Sequence, residues 1–167
     1  MFSIFKKKKI IPHIRLNGVI GNAGKFRQGL DFSGQEEIIK KAFSIKKSPA
    51  VAITINSPGG SPVQSHLIYK FIREQAKENK KKVIVFAEDV AASGGYLIAC
   101  AGDEIYANQS SIIGSIGVIF SSFGFKDLIK KIGVERRVYT AGKNKSTLDP
   151  FMEEKPEDIE RLKKIQL

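Results

Sequence analysis

Residues 50–56, AVAITIN, form a nearly continuous apolar and β-branched run, and no other segment restricts the fold as strongly. Such a run is typical of a strand that is covered on both faces, as in a parallel sheet. A second run, KVIVFA at 82–87, has the same character. Between them lies a helical pattern at 62–78, which opens with a proline suited to a first helical position. We therefore expect an α/β fold in which strands and helices alternate around a mainly parallel sheet.

Shorter segments extend this alternation towards both ends of the chain. Ser33 and Glu36 have the spacing of a capping box, before a helical run that places Ile39 and Phe43 on one face. Further elements are predicted as strands at 13–20, near 104–107 and near 116–120, an extended stretch at 134–139, and helices at 94–101, 125–132 and 156–167.

Composition narrows the class of protein. The chain has 167 residues, 42% of them hydrophobic and 27% charged, which is the composition of one globular domain. Cys100 is the single cysteine, so an internal disulfide is excluded, and we expect this thiol to be buried in a helix. His13 and His66 are the only histidines, which argues against a His-rich metal site.

The charge is strongly positive: the chain has 28 Lys and Arg residues and 17 Asp and Glu residues, so its formal net charge is +11. Most of the cations are lysines, which lack the planar fork that reads base edges, so nucleic acid is not an expected partner. Residues 1–11, MFSIFKKKKII, are predicted to be a basic tail before a domain at 12–167. The apolar residues of the tail and its four lysines suit peripheral contact with a membrane surface.

The uncharged stretch 105–125 is long enough to cross a bilayer. It also contains Asn108, Gln109, five serines and three glycines, which would make a poor lipid-facing helix. We predict buried strand and turns there, and no transmembrane segment in the chain.

Two loops follow the two apolar runs, and in a parallel sheet such loops meet at the carboxyl edge, where ligands bind. The second loop contains Ser93, followed by Gly94 and Gly95. A helix that begins just after Ser93 would direct its unpaired N–H groups at the serine oxygen, as a nucleophile and an oxyanion require. The first loop, SPGG at 57–60, is a sharp turn that can expose another backbone N–H.

A serine nucleophile needs a base, and no histidine follows His66, so a Ser-His-Asp triad is poorly supported. The other candidate is a lysine, which accepts a proton only when it is neutral. From a reference pKa of about 10.4, about one lysine in a thousand is neutral at pH 7, so an apolar pocket would have to favour the neutral form. Lys143 and Lys145 lie in a loop after a predicted extended stretch, and spacing alone does not choose between them.

Four strings together resemble the signal peptide peptidase family, bacterial Ser-Lys peptidases that include SohB-like members. The resemblance covers roughly residues 12–165 and implies the fold of the Clp protease and crotonase superfamily, built of ββα units with a mainly parallel sheet. The strings occur in the family's order and spacing: INSPGGSP at 55–62, DVAASGGYLIACAGDEIYA at 89–107, GSIGV at 114–118 and YTAGKNKSTLDPF at 139–151.

The resemblance implies a role for each of five residues. Ser93 matches the nucleophile and Lys145 the base, so that Lys143 becomes a solvated neighbour. Ser115 matches the serine that hydrogen-bonds the lysine amine. Gly60 and Gly94 match the oxyanion donors, and neither a metal nor a cofactor is implied.

The resemblance also implies hydrolysis of signal peptides or membrane-associated proteins through an acyl-enzyme. The expected substrate is an extended apolar peptide that pairs with the stretch 112–120 by strand addition. Relatives form ring-shaped homo-oligomers, in which the serine and the lysine come from one protomer or from neighbours. The expected location is the periphery of a bacterial inner membrane or the cytoplasm.

Three alternatives stay open. Because the chain stops at Leu167 inside a predicted helix, we expect a form truncated relative to the family, and an inactive homologue or assembly subunit of the same fold is one alternative. A crotonase-like acyl-CoA enzyme also uses a glycine-rich oxyanion turn but requires neither Ser93 nor Lys145. A Clp-type peptidase with a histidine base is disfavoured by the absence of histidine after residue 66.

Overall fold

The structure of the protein, a computed structural model, describes residues 10–21, 29–142 and 144–166. The predicted basic tail lies mostly outside these residues, and Lys143 lies outside them as well. The chain divides into two compact units, with the boundary between Ile116 and Gly117. We call them unit 1 and unit 2. The outer limits of the predicted domain at 12–167 stay a prediction.

Unit 1 alternates strands and helices along the chain. Its strands pair in parallel, β1 with β2, β2 with β3, and β3 with both β4 and β5. The predicted α/β class with a mainly parallel sheet is therefore confirmed. The elements are β1 (His13–Asn17), α1 (Phe32–Ser44), β2 (Ala50–Ser57), α2 (Pro62–Asn79), β3 (Lys82–Ala92), α3 (Gly94–Ala99), β4 (Glu104–Ala107) and β5 (Ile112–Gly114).

The core of unit 1 lies on one face of the sheet. Alternate residues of β2, including Val51 and Ile53, are fully buried there with Phe43 of α1 and Ile68 of α2. Each such side chain contributes about 2 kcal/mol by leaving water. The residues of β2 between them are only half-buried, so the prediction of a strand covered on both faces is wrong for this chain.

The other face of the sheet carries side chains that contact each other at the surface. Phe86 of β3 and Tyr106 of β4 stack with their ring centroids 5.5 Å apart, and they are 42% and 51% exposed. Arg15 of β1 forms an ion pair of 2.7 Å with Glu88 of β3. Because this face is partly open to solvent, buried and half-buried residues alternate along the strands.

Helix α1 begins two residues earlier than the capping-box pattern predicts. Its N-cap is Asp31, whose side chain accepts a hydrogen bond of 2.8 Å from the N–H of Gly34. The hydroxyl of Ser33 donates to the same carboxylate instead of capping the helix. An ionised carboxylate is the stronger acceptor at a helix N-terminus, so it takes this position.

Three other expectations fail. Cys100 follows the last residue of α3 and is exposed, so the prediction of a buried thiol is wrong. The predicted strand near 116–120 is absent, and β5 pairs with β3 through residues 112–114 instead. The stretch 105–125 is largely exposed, not buried.

Unit 2 contains two helices, α4 (Lys126–Lys131) and α5 (Pro156–Gln166), within its described residues. Phe125 and Phe151 lie with ring centroids 5.5 Å apart, and the N–H of Phe125 donates to the carbonyl of Pro150. No helix in the described part of the chain combines the length and the apolar character needed to cross a membrane.

Candidate active site

Strand β3 bends where it approaches the first glycine-rich turn. Between the pairs Ile55–Ala87 and Ser57–Ala91, β2 advances two residues while β3 advances four. The two additional residues form a bulge, after which β3 leaves β4 and pairs with β5. The strand therefore runs on to Ala92, whereas the sequence predicted a loop from residue 88.

Ser93 is the single residue between β3 and α3. It has φ 53° and ψ −121°, a backbone conformation that non-glycine residues rarely adopt. Its side chain makes no capping hydrogen bond with the helix, and its N–H donates to the carbonyl of Gly114 over 2.7 Å. A half-buried hydroxyl thus lies at the start of a helix without serving as its cap.

The glycine turn after β2 contacts this serine directly. A Cβ atom on Gly59 would lie 2.7 Å from the Cβ of Ser93 and 2.9 Å from the nitrogen of Gly94. Gly60 has φ 148°, and a Cβ there would overlap the carbonyl of Ile20. The buried hydroxyl of Ser57 accepts a hydrogen bond of 3.1 Å from the N–H of Gly59 and so fixes the turn. Glycine is required at both positions because two backbone segments meet there.

The glycines after Ser93 are required for the same reason. A Cβ on Gly94 would collide with the side chain of Ser65 in α2. A Cβ on Gly95 would lie 2.6 Å from the carbonyl oxygen of Ser57. Helix α3 therefore packs its first turn against both the turn after β2 and helix α2.

Several backbone donors at this junction have no hydrogen-bond acceptor among the described residues, and the N–H of Gly60 and the N–H of Gly94 are two of them. Both are expected oxyanion donors. Gly60 is exposed, whereas Gly94 is buried at the first position of α3. Unpaired donors beside a strained serine suit the binding of a negatively charged oxygen.

Asn56, the penultimate residue of β2, connects β2 to the bulge of β3, and the sequence analysis did not single it out. Its side-chain amide donates to the carboxylate of Asp89 over 3.1 Å, and its carbonyl oxygen accepts from the N–H of Val90 over 3.2 Å. A polar residue that ends an apolar strand is the feature that could have identified it. The amide connects the glycine turn to the bulge that leads into Ser93.

Ser115 lies one residue beyond the carbonyl that accepts from the Ser93 N–H. Like Ser93, it has φ 53°, and its residue is exposed. The structure thus brings together in unit 1 four of the five predicted site residues: Ser93, Gly94, Gly60 and Ser115. The fifth, Lys145, belongs to unit 2.

The loop that carries Lys145 is fixed near its far end. Arg136 donates to the carboxylate of Asp149 over 2.7 Å and lies 5.4 Å from the ring centroid of Phe151. The guanidinium, together with the N–H of Phe151, lowers the pKa of Asp149. Lys145 itself is exposed, and its N–H lies 3.4 Å from the carbonyl of Gly142.

The described residues hold no cluster of three or more His, Cys, Asp or Glu side chains that could bind a metal ion. What the junction in unit 1 offers is a hydroxyl and two unpaired N–H groups. This set can support nucleophilic attack on a carbonyl carbon, once a base is supplied.

Comparison with known sequences identifies a family. Residues 75–165 match the model described as Peptidase family S49. A Brucella melitensis biotype 1 protein named Na(+)/H(+) antiporter NhaA is 65% identical over 158 residues, which are 94% of this chain and 22% of that protein. The chloroplastic serine protease SPPA of Arabidopsis thaliana is 38% identical over 133 residues, 77% of this chain and 19% of that protein.

A third relative, from Buchnera aphidicola subsp. Schizaphis graminum, carries the name Probable protease SohB. It is 33% identical over 132 residues, which are 73% of this chain and 38% of that protein. The chain spans less than half of the length of each of these three relatives. The name of the Brucella protein describes that whole protein, of which the matching part is about a fifth.

Among solved structures, a serine-to-alanine mutant of the membrane-bound stomatin-specific protease 1510-N is similar in fold. The TM-score is 0.52 at 20% sequence identity, and the match covers 75% of this chain and 65% of that chain. The likeness is one of fold alone, and it agrees with the predicted α/β class.

Proposed function

The chain belongs to peptidase family S49, and on this premise we propose that it is a serine peptidase with Ser93 as nucleophile and Lys145 as general base. The proposed substrates are signal peptides or other membrane-associated polypeptides. Relatives named as proteases support the peptidase class. The proposed location is the inner-membrane periphery or the cytoplasm of a bacterium.

One observation carries the proposal: Ser93 has a positive φ at the start of α3, beside two unpaired N–H groups. A serine that merely capped the helix would accept a hydrogen bond from its first turn, and Ser93 does not. Backbone strain of this kind costs on the order of 1–3 kcal/mol and persists where the surrounding structure requires it. A hydroxyl held clear of the helix remains available for attack.

In the proposed reaction, the neutral amine of Lys145 takes the hydroxyl proton of Ser93 as the serine oxygen attacks the peptide carbonyl carbon. The resulting oxyanion accepts hydrogen bonds from Gly60 and Gly94. The lysine ammonium then protonates the leaving amine, the C–N bond breaks, and an ester to Ser93 remains. A water molecule, deprotonated by the same amine, hydrolyses the ester and restores the serine.

We assign Ser115 the role of orienting the amine. Its position next to Gly114, whose carbonyl holds the Ser93 N–H, supports this assignment. A hydroxyl there can accept a hydrogen bond from the amine and donate one elsewhere. The amine would then meet the Ser93 oxygen from a defined direction.

We also propose that the active form is a homo-oligomer. Lys145 is exposed in the single chain, whereas covering by apolar surface is what favours a neutral amine. Unit 2 exposes several large apolar side chains, among them Ile119 at 91% and Phe123 at 79%. Exposed apolar residues on this scale are typical of surfaces that another chain covers.

The decisive experiment measures hydrolysis of an apolar peptide ester by the purified chain and by single variants. Ser93→Ala and Lys145→Ala should each reduce turnover by a factor on the order of a thousand or more, because each removes a reacting group. Lys143→Ala is the matched control and should retain most of the activity. Full activity in Lys145→Ala, or transfer of the defect to Lys143→Ala, would refute the assignment of the base.

A mixing experiment determines whether the two residues act within one protomer. Ser93→Ala and Lys145→Ala chains are combined, unfolded and refolded together. If the pair forms between protomers, mixed assemblies contain some intact sites and recover part of the activity. If it forms within a protomer, the mixture stays as inactive as each parent.

A further inference from the structure

The amino ends of the parallel strands form the edge of unit 1 opposite Ser93. Helices α1 and α2 end there, and β2 and β3 begin there. Over the eight residues of β2, a rise of about 3.3 Å per residue separates this edge from the glycine turn by about 23 Å. The edge is therefore outside the proposed catalytic junction.

A buried lysine brings two lysine-rich turns together at this edge. The amine of Lys81, whose residue is only 9% exposed, donates to the carbonyls of Phe43 and Ile45, both over 2.6 Å. These carbonyls lie at the end of α1, directly before Lys46 and Lys47. Burial lowers the pKa of Lys81. The contact fixes the turn after α1 beside the turn after α2, which contains Lys80.

Between the turns lies a shallow depression of about 620 Å³ that is lined largely by cationic side chains. Arg73 pairs with Asp103 over 2.9 Å, and Lys82 pairs with Glu104 over 3.3 Å. Four exposed lysines of the two turns and the end of α2 have no acidic partner within 4.0 Å among the described residues: Lys46, Lys47, Lys77 and Lys80. We call these four residues the lysine face.

Helix ends explain only part of this charge. A lysine in the last turn of a helix interacts favourably with the helix dipole, and Lys77 has that position in α2. Lys46 and Lys47 lie beyond the end of α1, and Lys80 has φ 52° after the end of α2. Interaction with the helix dipoles therefore does not account for the cations that the two turns bring together.

We propose that the lysine face docks the protein onto a membrane surface that contains anionic lipids. Compact, strongly hydrated ammonium groups suit a layer of phosphate headgroups, and the depression has no aromatic, Asn or Gln side chain in its described lining that could read bases. The proposal does not depend on the peptidase assignment, because it uses neither Ser93 nor Lys145.

The path of the chain into unit 1 supports a lipid partner. The carbonyl of Pro12 accepts from the N–H of Ala52, near the amino end of β2, so the chain enters at the same edge. In the sequence, Lys6–Lys9 follow Phe2, Ile4 and Phe5 only a few residues earlier. Apolar residues beside lysines are the pattern of a membrane-surface segment.

The test is co-sedimentation of the full chain with phosphatidylcholine vesicles, with and without phosphatidylglycerol. The face variant is Lys46→Gln, Lys47→Gln and Lys80→Gln together; the matched control is Lys130→Gln, Lys131→Gln and Lys163→Gln, three exposed lysines of unit 2. We expect binding only to the anionic vesicles, weakened at least about tenfold in the face variant and far less in the control.

Circular dichroism and urea unfolding serve as checks that the face variant is folded. Equal weakening in both variants would overturn the proposal, since it would indicate net charge alone. Equal binding to neutral vesicles would also overturn it. If the face variant loses affinity for a short DNA duplex that the unmodified chain binds more tightly than vesicles, the partner is nucleic acid and the lipid assignment is wrong.

Discussion

At the scale of single residues, Ser93 combines the proposed nucleophilic hydroxyl with a strained backbone. Its φ of 53° lies in the left-handed region, which glycine adopts without a steric cost. The turn at Gly59 and Gly60 packs against it, so the surrounding backbone holds the serine in this conformation. The strain is therefore a property of the position, and it should be measurable apart from catalysis.

We expect Ser93→Gly to be more stable than Ser93→Ala by about 1 kcal/mol, because only alanine retains the Cβ that strains the backbone. Both variants lack the hydroxyl, so the comparison does not involve catalysis. Urea unfolding followed by circular dichroism gives the difference.

Ser110 provides the control, because it is an exposed loop residue whose φ is not positive. There, the glycine variant should be the less stable of the two, since glycine gains more freedom in the unfolded chain. If Ser93→Gly proves no more stable than Ser93→Ala, the backbone at residue 93 is not under strain.

Part of this site could be predicted from local pattern. Ser93 stands between a predicted strand and a predicted helix, a context that fits a helix cap as well as a nucleophile beside helical N–H groups. The partners of Asn56 could not be found this way, because they are 33 and 34 positions away and depend on a bulge. The choice of Lys145 over Lys143 came from family resemblance and stays a prediction.

At the scale of elements, the bulge in β3 decides where Ser93 lies. By adding two residues relative to β2, it moves the strand from β4 to β5 and aims its end at the glycine turn. Asn56 connects the strands at this point through Asp89 and Val90. The amide is a positioning group for the bulged end of β3 that precedes Ser93.

Asn56→Ala should lower kcat for the peptide ester on the order of tenfold, with little change in KM, because two hydrogen bonds that hold this end of β3 are lost. Asn56→Asp should also be impaired, since it places two carboxylates side by side.

The double variant Asn56→Asp with Asp89→Asn exchanges donor and acceptor, and it should recover most of the activity. Steady-state kinetics on the four proteins checks this. Lack of recovery in a folded double variant would mean that the amide does not act through Asp89.

The element-level errors have physical causes. The carboxylate of Asp31 outcompetes the Ser33 hydroxyl for the helix N-terminus, and a capping-box pattern does not weigh that competition. The apolar residues at 116–120 led to the wrong prediction of a strand, because the composition of a segment does not show whether its apolar side chains are buried or exposed. Cys100 is exposed because α3 ends just before it.

At the scale of the whole molecule, each unit contains a carboxylate whose pKa is held low. In unit 1, the N–H of Val83 and then the side chain of Arg73 lower the pKa of Asp103. In unit 2, Arg136 lowers the pKa of Asp149. Each charged carboxylate stabilises the folded state above its unfolded pKa of about 3.9, and that stability is lost as the pH falls through the lower folded value.

We therefore expect Asp103→Asn to destabilise the protein by about 1 kcal/mol at pH 7 and by less at pH 3. Urea unfolding at the two pH values measures the change. Glu160→Gln, at an exposed position of α5, should have little effect at either pH. A deficit in Asp103→Asn that is equally large at both pH values would show that its charge is not what stabilises unit 1.

The overall architecture was accessible from the sequence because buried parallel strands produce long apolar runs. The sequence did not predict that one face of the sheet is half-exposed, because alanine and threonine fit a covered face as well as an open one. The boundary between unit 1 and unit 2 at Ile116 could not be predicted either, because the composition of the sequence does not change there.

The stacked pair Phe86 and Tyr106 has a spectroscopic consequence. The chain contains no tryptophan, so an indole introduced at residue 86 would be its only long-wavelength fluorophore. That position is 42% exposed on the open face of the sheet, beside an aromatic ring. Its emission maximum and its quenching by iodide would follow, in real time, any polypeptide that comes to cover this face.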